Sequence, residues 1–170
     1  MTTRPSRRPE PLAPDGHGRS RFALETRRAT QRMAKALARV LAVGDLLVLS
    51  GDLGTGKTFL TRALCRARGV PHAVPVTSPS FALVNEYDAD VPILHVDLYR
   101  LADPDEVVQL GLRDRRADSL MIVEWGEPYV EDLGGQALHL ELSDETERRV
   151  AVLWHHEAGE LLHRALAALS

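Results

Sequence analysis

The segment Leu46–Thr58, LLVLSGDLGTGKT, constrains the fold more than any other stretch of the chain. Its opening run, Leu46-Leu47-Val48-Leu49, is short and wholly apolar, the mark of a strand buried on both faces of a sheet. Gly51-Asp52-Leu53-Gly54-Thr55-Gly56-Lys57-Thr58 then matches the pattern G-x-x-x-x-G-K-[ST] in full. Glycines let the backbone wrap an anion in conformations that other residues resist. The exposed N–H groups form a concave nest for phosphate oxygens. From Thr58 and Phe59 to Cys65 no helix breaker occurs. A helix therefore follows the loop, with its positive N-terminal end aimed at the same anion. Lys57 adds a point charge beside the β- and γ-phosphates, and the Thr58 hydroxyl is a ligand for Mg2+. The order strand, loop, helix separates a nucleotide site from a glycine-rich turn.

A second nucleotide requirement is an acid at the end of a neighbouring strand, sharing the metal with the P-loop hydroxyl. Two residues fit. Glu124 follows the apolar run Leu120-Met121-Ile122-Val123, and Asp97 lies near the end of the strand pattern Ile93–Tyr99. With a period of two, Ile93, His95, Asp97 and Tyr99 share one face of that strand. Both acids then sit at the C-terminal edge of the sheet, where α/β proteins bind ligands. Lys35 and Lys57 are the only lysines, and neither is followed two residues later by Asp. A guanine-specifying motif is thus missing, and ATP is the favoured nucleotide.

The 170 residues predict one domain with a proper core. A net charge of −3 gives no global footprint for nucleic acid, DNA included, or for a membrane surface. No run reaches the length of a membrane span, and the N-terminus lacks the apolar core of a signal peptide. Cys65 is the only cysteine, which suits a reducing, cytoplasmic location and predicts plain packing on the apolar side of the P-loop helix. Residues 1–20, rich in Pro, Arg and Gly, read as a disordered basic tail. Residues 21–170 read as a single P-loop ATPase domain.

The rest of the chain falls into place around the loop. Met33, Leu37, Val40 and Leu41 make one apolar face of a helix over Thr26–Ala42. Prolines 71, 75 and 79 frame a loop holding Ser78-Pro79-Ser80-Phe81, and an extended segment, Ala82–Tyr87, follows. Asp103-Pro104-Asp105-Glu106 starts a short helix that stops near Gly111. Arg113, Arg115 and Arg116 belong to a charged surface stretch. Leu138, Leu140 and Leu142 on one strand and Val150, Val152 and Trp154 on the next predict an antiparallel hairpin. Glu157–Leu169 closes the chain as an amphipathic helix. His155, His156 and His163 lack a metal-ligand pattern. The fold class is α/β, a three-layer P-loop NTPase-like arrangement with a mixed central sheet flanked by helices.

Four motifs in order closely resemble the TsaE (YjeE) family of bacterial P-loop ATPases, over roughly residues 25–165. They are Gly51–Thr58, Ser78-Pro79-Ser80-Phe81, His95-Val96-Asp97-Leu98-Tyr99-Arg100-Leu101 and Val123-Glu124-Trp125. The resemblance implies a cytoplasmic, ATP-hydrolysing subunit needed for threonylcarbamoyladenosine in tRNA. It also implies action with the TsaB–TsaD pair, with tRNA reached through that complex. By motif match, ATP is held by Gly51, Asp52, Leu53, Gly54, Thr55, Gly56, Lys57, Thr58 and Phe59, with Thr30 near the base. Thr58 and Glu124 share Mg2+, and Asp97 lies in the metal's outer shell or orients water. Ser78, Pro79, Ser80 and Phe81 form a switch-like loop, while Tyr99, Arg100 and Trp125 adjoin the switch or a partner. Thr55 stands where Ala is commoner in the family and Ser80 where Thr is commoner; both substitutes are small.

No conventional arginine finger is assignable, and Arg100 is the candidate in cis. Slow hydrolysis by the isolated chain, raised by partners, is the expectation if a partner supplies the charge. Two rivals stand beside this reading: a small-molecule kinase using Arg113, Arg115 and Arg116 as a lid, and a nucleotide sensor that binds without hydrolysis.

Overall fold

Consecutive apolar residues are at home where a sheet is covered on both faces, and Leu46–Ser50 occupies such a place, with every residue buried. A computed structural model describes residues 6–145, 148–155 and 159–170 of the protein. Its strands are β1 (Glu10–Leu12), β2 (Ser20–Ala23), β3 (Leu46–Ser50), β4 (Val84–Tyr87), β5 (Ile93–Asp97), β6 (Leu120–Glu124), β7 (Leu138–Glu145) and β8 (Arg148–His155). The helices are α1 (Arg27–Val40), α2 (Lys57–Ala67), α3 (Pro104–Gln109), α4 (Leu112–Arg115) and α5 (Glu160–Leu169). All eight strands belong to one sheet in the order β1-β2-β8-β7-β3-β6-β5-β4. The four central strands, β7, β3, β6 and β5, run parallel. The flanking pairs are antiparallel, so the sheet is mixed.

Alternation along the strands divides the core in two. Leu47, Leu49, Ile93 and Ile122 pack with Met33 and Leu37 of α1 and Leu60 and Leu64 of α2. Leu46, Val48, Leu94 and Met121 pack on the other face with Val107 of α3 and Leu112 of α4. The result is the three-layer α/β arrangement predicted. The same parity matters for polar residues: His95, Asp97 and Glu124 fall in register with Ile93 and Ile122 and face the α2 layer.

Helix boundaries follow local chemistry. Thr26 caps α1, its hydroxyl accepting the Ala29 N–H at 3.1 Å. Asp103 caps α3 with Pro104 in the first turn. The predicted hairpin is β7–β8, paired from Leu138↔His155 to Glu145↔Arg148. Glu147 of its connection, His156, and the predicted helix start at Glu157 lie outside the described residues.

The N-terminal segment differs from expectation. Residues 10–12, read as disordered tail, form β1 and pair with β2, which pairs with β8. The expected boundary after residue 20 therefore falls inside a paired segment. Backbone pairing at a sheet edge needs no apolar periodicity, so the composition hid it. Asp15 shapes the turn between these strands, accepting the N–H groups of His17 and Arg19 at 2.9 Å each. Although desolvation opposes ionisation, these bonds and the Arg19 guanidinium hold the Asp15 carboxyl down at about 2. Residues 1–5 of the tail lie outside the described residues. Among the described residues no helix is long and apolar enough to cross a membrane.

Candidate functional site

The P-loop leaves the C-terminal end of β3 and passes straight into α2. Gly51, Gly54 and Gly56 all have left-handed φ values, 119°, 84° and 103°. Gly51 is required twice over, because a Cβ there would lie 2.0 Å from the Leu142 carbonyl oxygen of β7. Thr55 is buried, and its hydroxyl donates to the Asp52 carbonyl at 2.8 Å, tying the turn internally. The Lys57 ammonium donates to the carbonyls of Gly51 and Asp52, at 2.5 and 2.9 Å, and lies 4.2 Å from the centre of the Trp125 ring. Burial lowers the Lys57 pKa from its ordinary value, against the opposing charges of Glu124, Glu127, Asp97 and Asp52.

Facing the loop are the two acids. Register sets Asp97 beside Glu124 on neighbouring parallel strands. Thr58, in the first turn of α2, approaches both Glu124 oxygens with its hydroxyl, at 3.1 and 3.3 Å. The Asp97 carboxylate accepts the Ser78 hydroxyl at 2.6 Å, the Ser80 hydroxyl at 3.1 Å and the Tyr99 N–H at 3.0 Å. The serine loop is thus fastened to the strand that carries Asp97. Leu53, Gly54 and Gly56 to Phe59 line one wall of a cleft of about 340 Å3. Ser78, Ser80, Asp97, Tyr99, Glu124 and Trp125 line the other. Each of these residues was marked by the sequence.

Gly51, Asp52 and Thr55 form the back of the loop behind the cleft lining, and four predicted residues outside the loop also stand apart from that lining. Thr30 is 2% exposed within α1. Pro79 contributes its carbonyl to the Leu83 N–H. Phe81 is 87% exposed, with the Arg100 guanidinium 4.3 Å from its ring centre. Arg100, the candidate cation in cis, is thereby engaged with Phe81 and is not on the cleft wall. Two of the three arginines proposed as a lid are also engaged elsewhere. Arg116 donates to the carbonyls of Gly44, Leu133, Gly135 and Gln136, and Gly44 precedes β3 at the end away from the P-loop. Arg115 pairs with Glu86.

Two residues of the site were not predicted. His95 is fully buried and bonds to Glu124 Oε1 at 2.8 Å. Its shared face with Asp97 was the available signal. Arg149 of β8 lies against the loop, so that a Cβ at Gly56 would come within 2.9 Å of its Nη1. No local pattern marks it, because the hairpin brings it there through the tertiary fold.

The oxygen set suits a hard divalent cation. Ligands held about 2.1 Å from an octahedral Mg2+ sit about 3.0 Å apart in cis. The Thr58–Glu124 oxygen distances of 3.1 and 3.3 Å are close to that spacing. Among the described residues no group of three or more His, Cys, Asp or Glu could hold a metal by itself. A protein ligand set this sparse is the kind that fits Mg2+, which keeps waters and substrate phosphates among its ligands.

The model of the family described as "Threonylcarbamoyl adenosine biosynthesis protein TsaE" matches residues 24–151, from the end of β2 into β8. The chain belongs to the TsaE family. The match includes the P-loop, both acids and the serine loop. A TsaE-family protein of Streptomyces coelicolor, named as a tRNA threonylcarbamoyladenosine biosynthesis protein, is 42% identical over 66% of this chain and 77% of its own length. One from Aquifex aeolicus with the same name is 35% identical over 76% of this chain and 92% of its own. The solved structure of Bacillus subtilis YdiB superposes with a TM-score of 0.69 at 24% identity, covering 89% of this chain and 93% of that one, and supports the fold.

Proposed function

We propose that this chain is an Mg2+-dependent ATPase subunit of tRNA threonylcarbamoyladenosine biosynthesis. In this reading it works in the cytoplasm with a TsaB–TsaD pair and meets tRNA through that complex. The observation that carries the ATPase reading is the Thr58–Glu124 pair at the mouth of a complete P-loop, with Asp97 beside it. The tRNA step rests on the family and on the names of its relatives.

The N–H groups of residues 51–58 and the N-terminus of α2 receive the phosphates. Lys57 turns from its own loop's carbonyls to the β- and γ-oxygens. Thr58 and Glu124 are the residues that would hold Mg2+, and the ion would there supply charge neutralisation on the phosphates. Asp97 orients the attacking water, and for that it must loosen the Ser78 and Ser80 hydroxyls it now accepts. The serine loop is accordingly the element that senses the γ-phosphate or a partner. The exposed Phe81, and Tyr99 at 53% exposure, offer that partner an aromatic contact beside the cleft. Arg100 is engaged by Phe81, Arg149 lies against Gly56 outside the cleft lining, and among the described residues that lining holds no arginine, so hydrolysis by the isolated chain is slow.

The test is a nucleoside census of tRNA from cells depleted of the chain, joined to ATP hydrolysis with and without the TsaB–TsaD pair. Selective loss of threonylcarbamoyladenosine and partner-stimulated hydrolysis are expected. Unchanged nucleoside levels after verified depletion would reject the pathway. Nucleotide binding with no single-turnover hydrolysis, partners present, would leave a sensor.

A further inference from the structure

We propose that His95 is the positioning residue for Glu124, fixing the carboxylate in the orientation in which it holds Mg2+ with Thr58. This rests on the reading of Glu124 as a metal ligand.

Three observations carry it. Glu124 is 3% exposed, and buried polar atoms need hydrogen-bond partners. Its distances to the Thr58 hydroxyl, 3.1 and 3.3 Å, are nearly equal, so that contact favours neither oxygen and leaves the carboxylate free to turn. The bond from His95 Nε2 goes to Oε1 at 2.8 Å and does select one oxygen. An ionised carboxylate only accepts, so Nε2 carries the hydrogen and donates.

The cost of His95 points the same way. It is 0% exposed in a strand whose other buried positions before Asp97, namely Ile93, Leu94 and Val96, are aliphatic. Its Nδ1 has no hydrogen-bond partner among the described residues. A position serving packing alone would be better filled by another aliphatic side chain, which leaves no polar atom unsatisfied. The imidazole is retained at a cost, and among the described residues its one hydrogen bond is to Glu124. The geometry is set by backbone register. Asp97 pairs with Glu124 and His95 with Ile122, so His95 reaches Glu124 along the diagonal between two parallel strands. Hydrogen-bonded outer partners of this kind orient metal ligands, and their loss costs about 10–100-fold in metal affinity.

The experiment measures binding of a non-hydrolysable ATP analogue by calorimetry, with and without saturating Mg2+, for wild type, Glu124→Ala, His95→Gln, His95→Asn and His95→Leu. Melting temperatures are recorded in parallel. Gln carries an amide N–H near the Nε2 position, while the Asn amide falls short of it. The expected result is that Mg2+ strengthens binding in the wild type and His95→Gln. In Glu124→Ala, His95→Asn and His95→Leu that gain, read as the ratio of affinities with and without Mg2+ for each variant, falls by about tenfold or more. The Gln and Asn pair decides the matter even if the Leu variant does not fold. Loss of the gain in Glu124→Ala with the gain intact in His95→Asn would overturn the positioning role and leave the site reading standing. A gain that tracks melting temperature, equal in Gln and Asn, would also overturn it. An Mg2+ gain absent from the wild type or intact in Glu124→Ala would remove the metal reading and this proposal together.

Discussion

The ammonium of Lys57 is bonded to the carbonyl oxygen of Gly51, six residues back in the same loop, at 2.5 Å. With the Asp52 carbonyl and the Trp125 ring it completes a cage that holds the charge beside the phosphate nest. Entry of a nucleotide exchanges neutral carbonyls for anionic oxygens, and the lysine needs only a short rotation to make the exchange. Lys57→Ala therefore loses about 10- to 100-fold in ATP affinity, since charge-assisted bonds are worth about 1.5–3 kcal/mol. Calorimetry measures this directly. Unchanged affinity would mean that the nucleotide binds elsewhere.

The two acids divide their work differently, and substitution separates them. Glu124→Ala keeps most nucleotide affinity measured without metal, but loses Mg2+ dependence and about 100-fold or more of hydrolysis. Asp97→Asn keeps the Mg2+ dependence and loses hydrolysis, because Asp97 binds the serine loop and not Thr58. Steady-state rates against Mg2+ concentration distinguish the pair. An Mg2+ dependence lost in Asp97→Asn and kept in Glu124→Ala would exchange the roles.

Much of this site was legible in the sequence, because its parts are local. The strand, glycine loop and helix from Leu46 to Ala67 are one continuous segment, and each acid sits at the end of an apolar run. What escaped needed three dimensions. The His95–Glu124 bond depends on the register of two parallel strands far apart in the chain. Arg149 reaches the loop because β7 continues the sheet beside β3 and returns as β8. Phe81 and Arg100, grouped with the site by motif, face outward together, and Thr30 is buried in α1 away from the cleft wall. The first strand was hidden for a different reason: it contributes backbone hydrogen bonds at an edge, and its side chains carry no pattern.

The loop glycines are not equivalent. Gly54→Ala pays only for left-handed backbone, about 1–2 kcal/mol, because its Cβ would meet open space. Gly51→Ala adds a collision with the Leu142 carbonyl oxygen at 2.0 Å, which only backbone movement relieves. A loss beyond about 3 kcal/mol follows for Gly51→Ala, with displacement of the loop from β7. Urea denaturation of both variants provides the comparison, and equal losses would show that the Leu142 contact yields freely.

Cys65 gives a pH signature with a definite sign. It lies fully buried in α2, and burial pushes its thiol from an ordinary 9.0 up to about 12, against a small pull from Arg66. The unfolded chain therefore gives up this proton before the folded protein does. Between those two values the folded state binds more protons, and stability falls as pH rises, by about 1.4 kcal/mol per unit once the unfolded thiol is ionised. Below the ordinary value the group contributes no slope. Tyrosines and lysines titrate in the same range, so the readout is the difference from Cys65→Ala. That variant carries a constant offset for the lost sulfur, and the two stability curves run parallel up to about pH 8. Above about pH 9 the wild type falls away from the variant. Alkylation of native protein near neutral pH follows unfolding and not the reagent, because the thiol is both enclosed and protonated. Fast labelling of the folded protein, or curves that stay parallel to high pH, would contradict the enclosed thiol and with it the packing of α2 on the sheet.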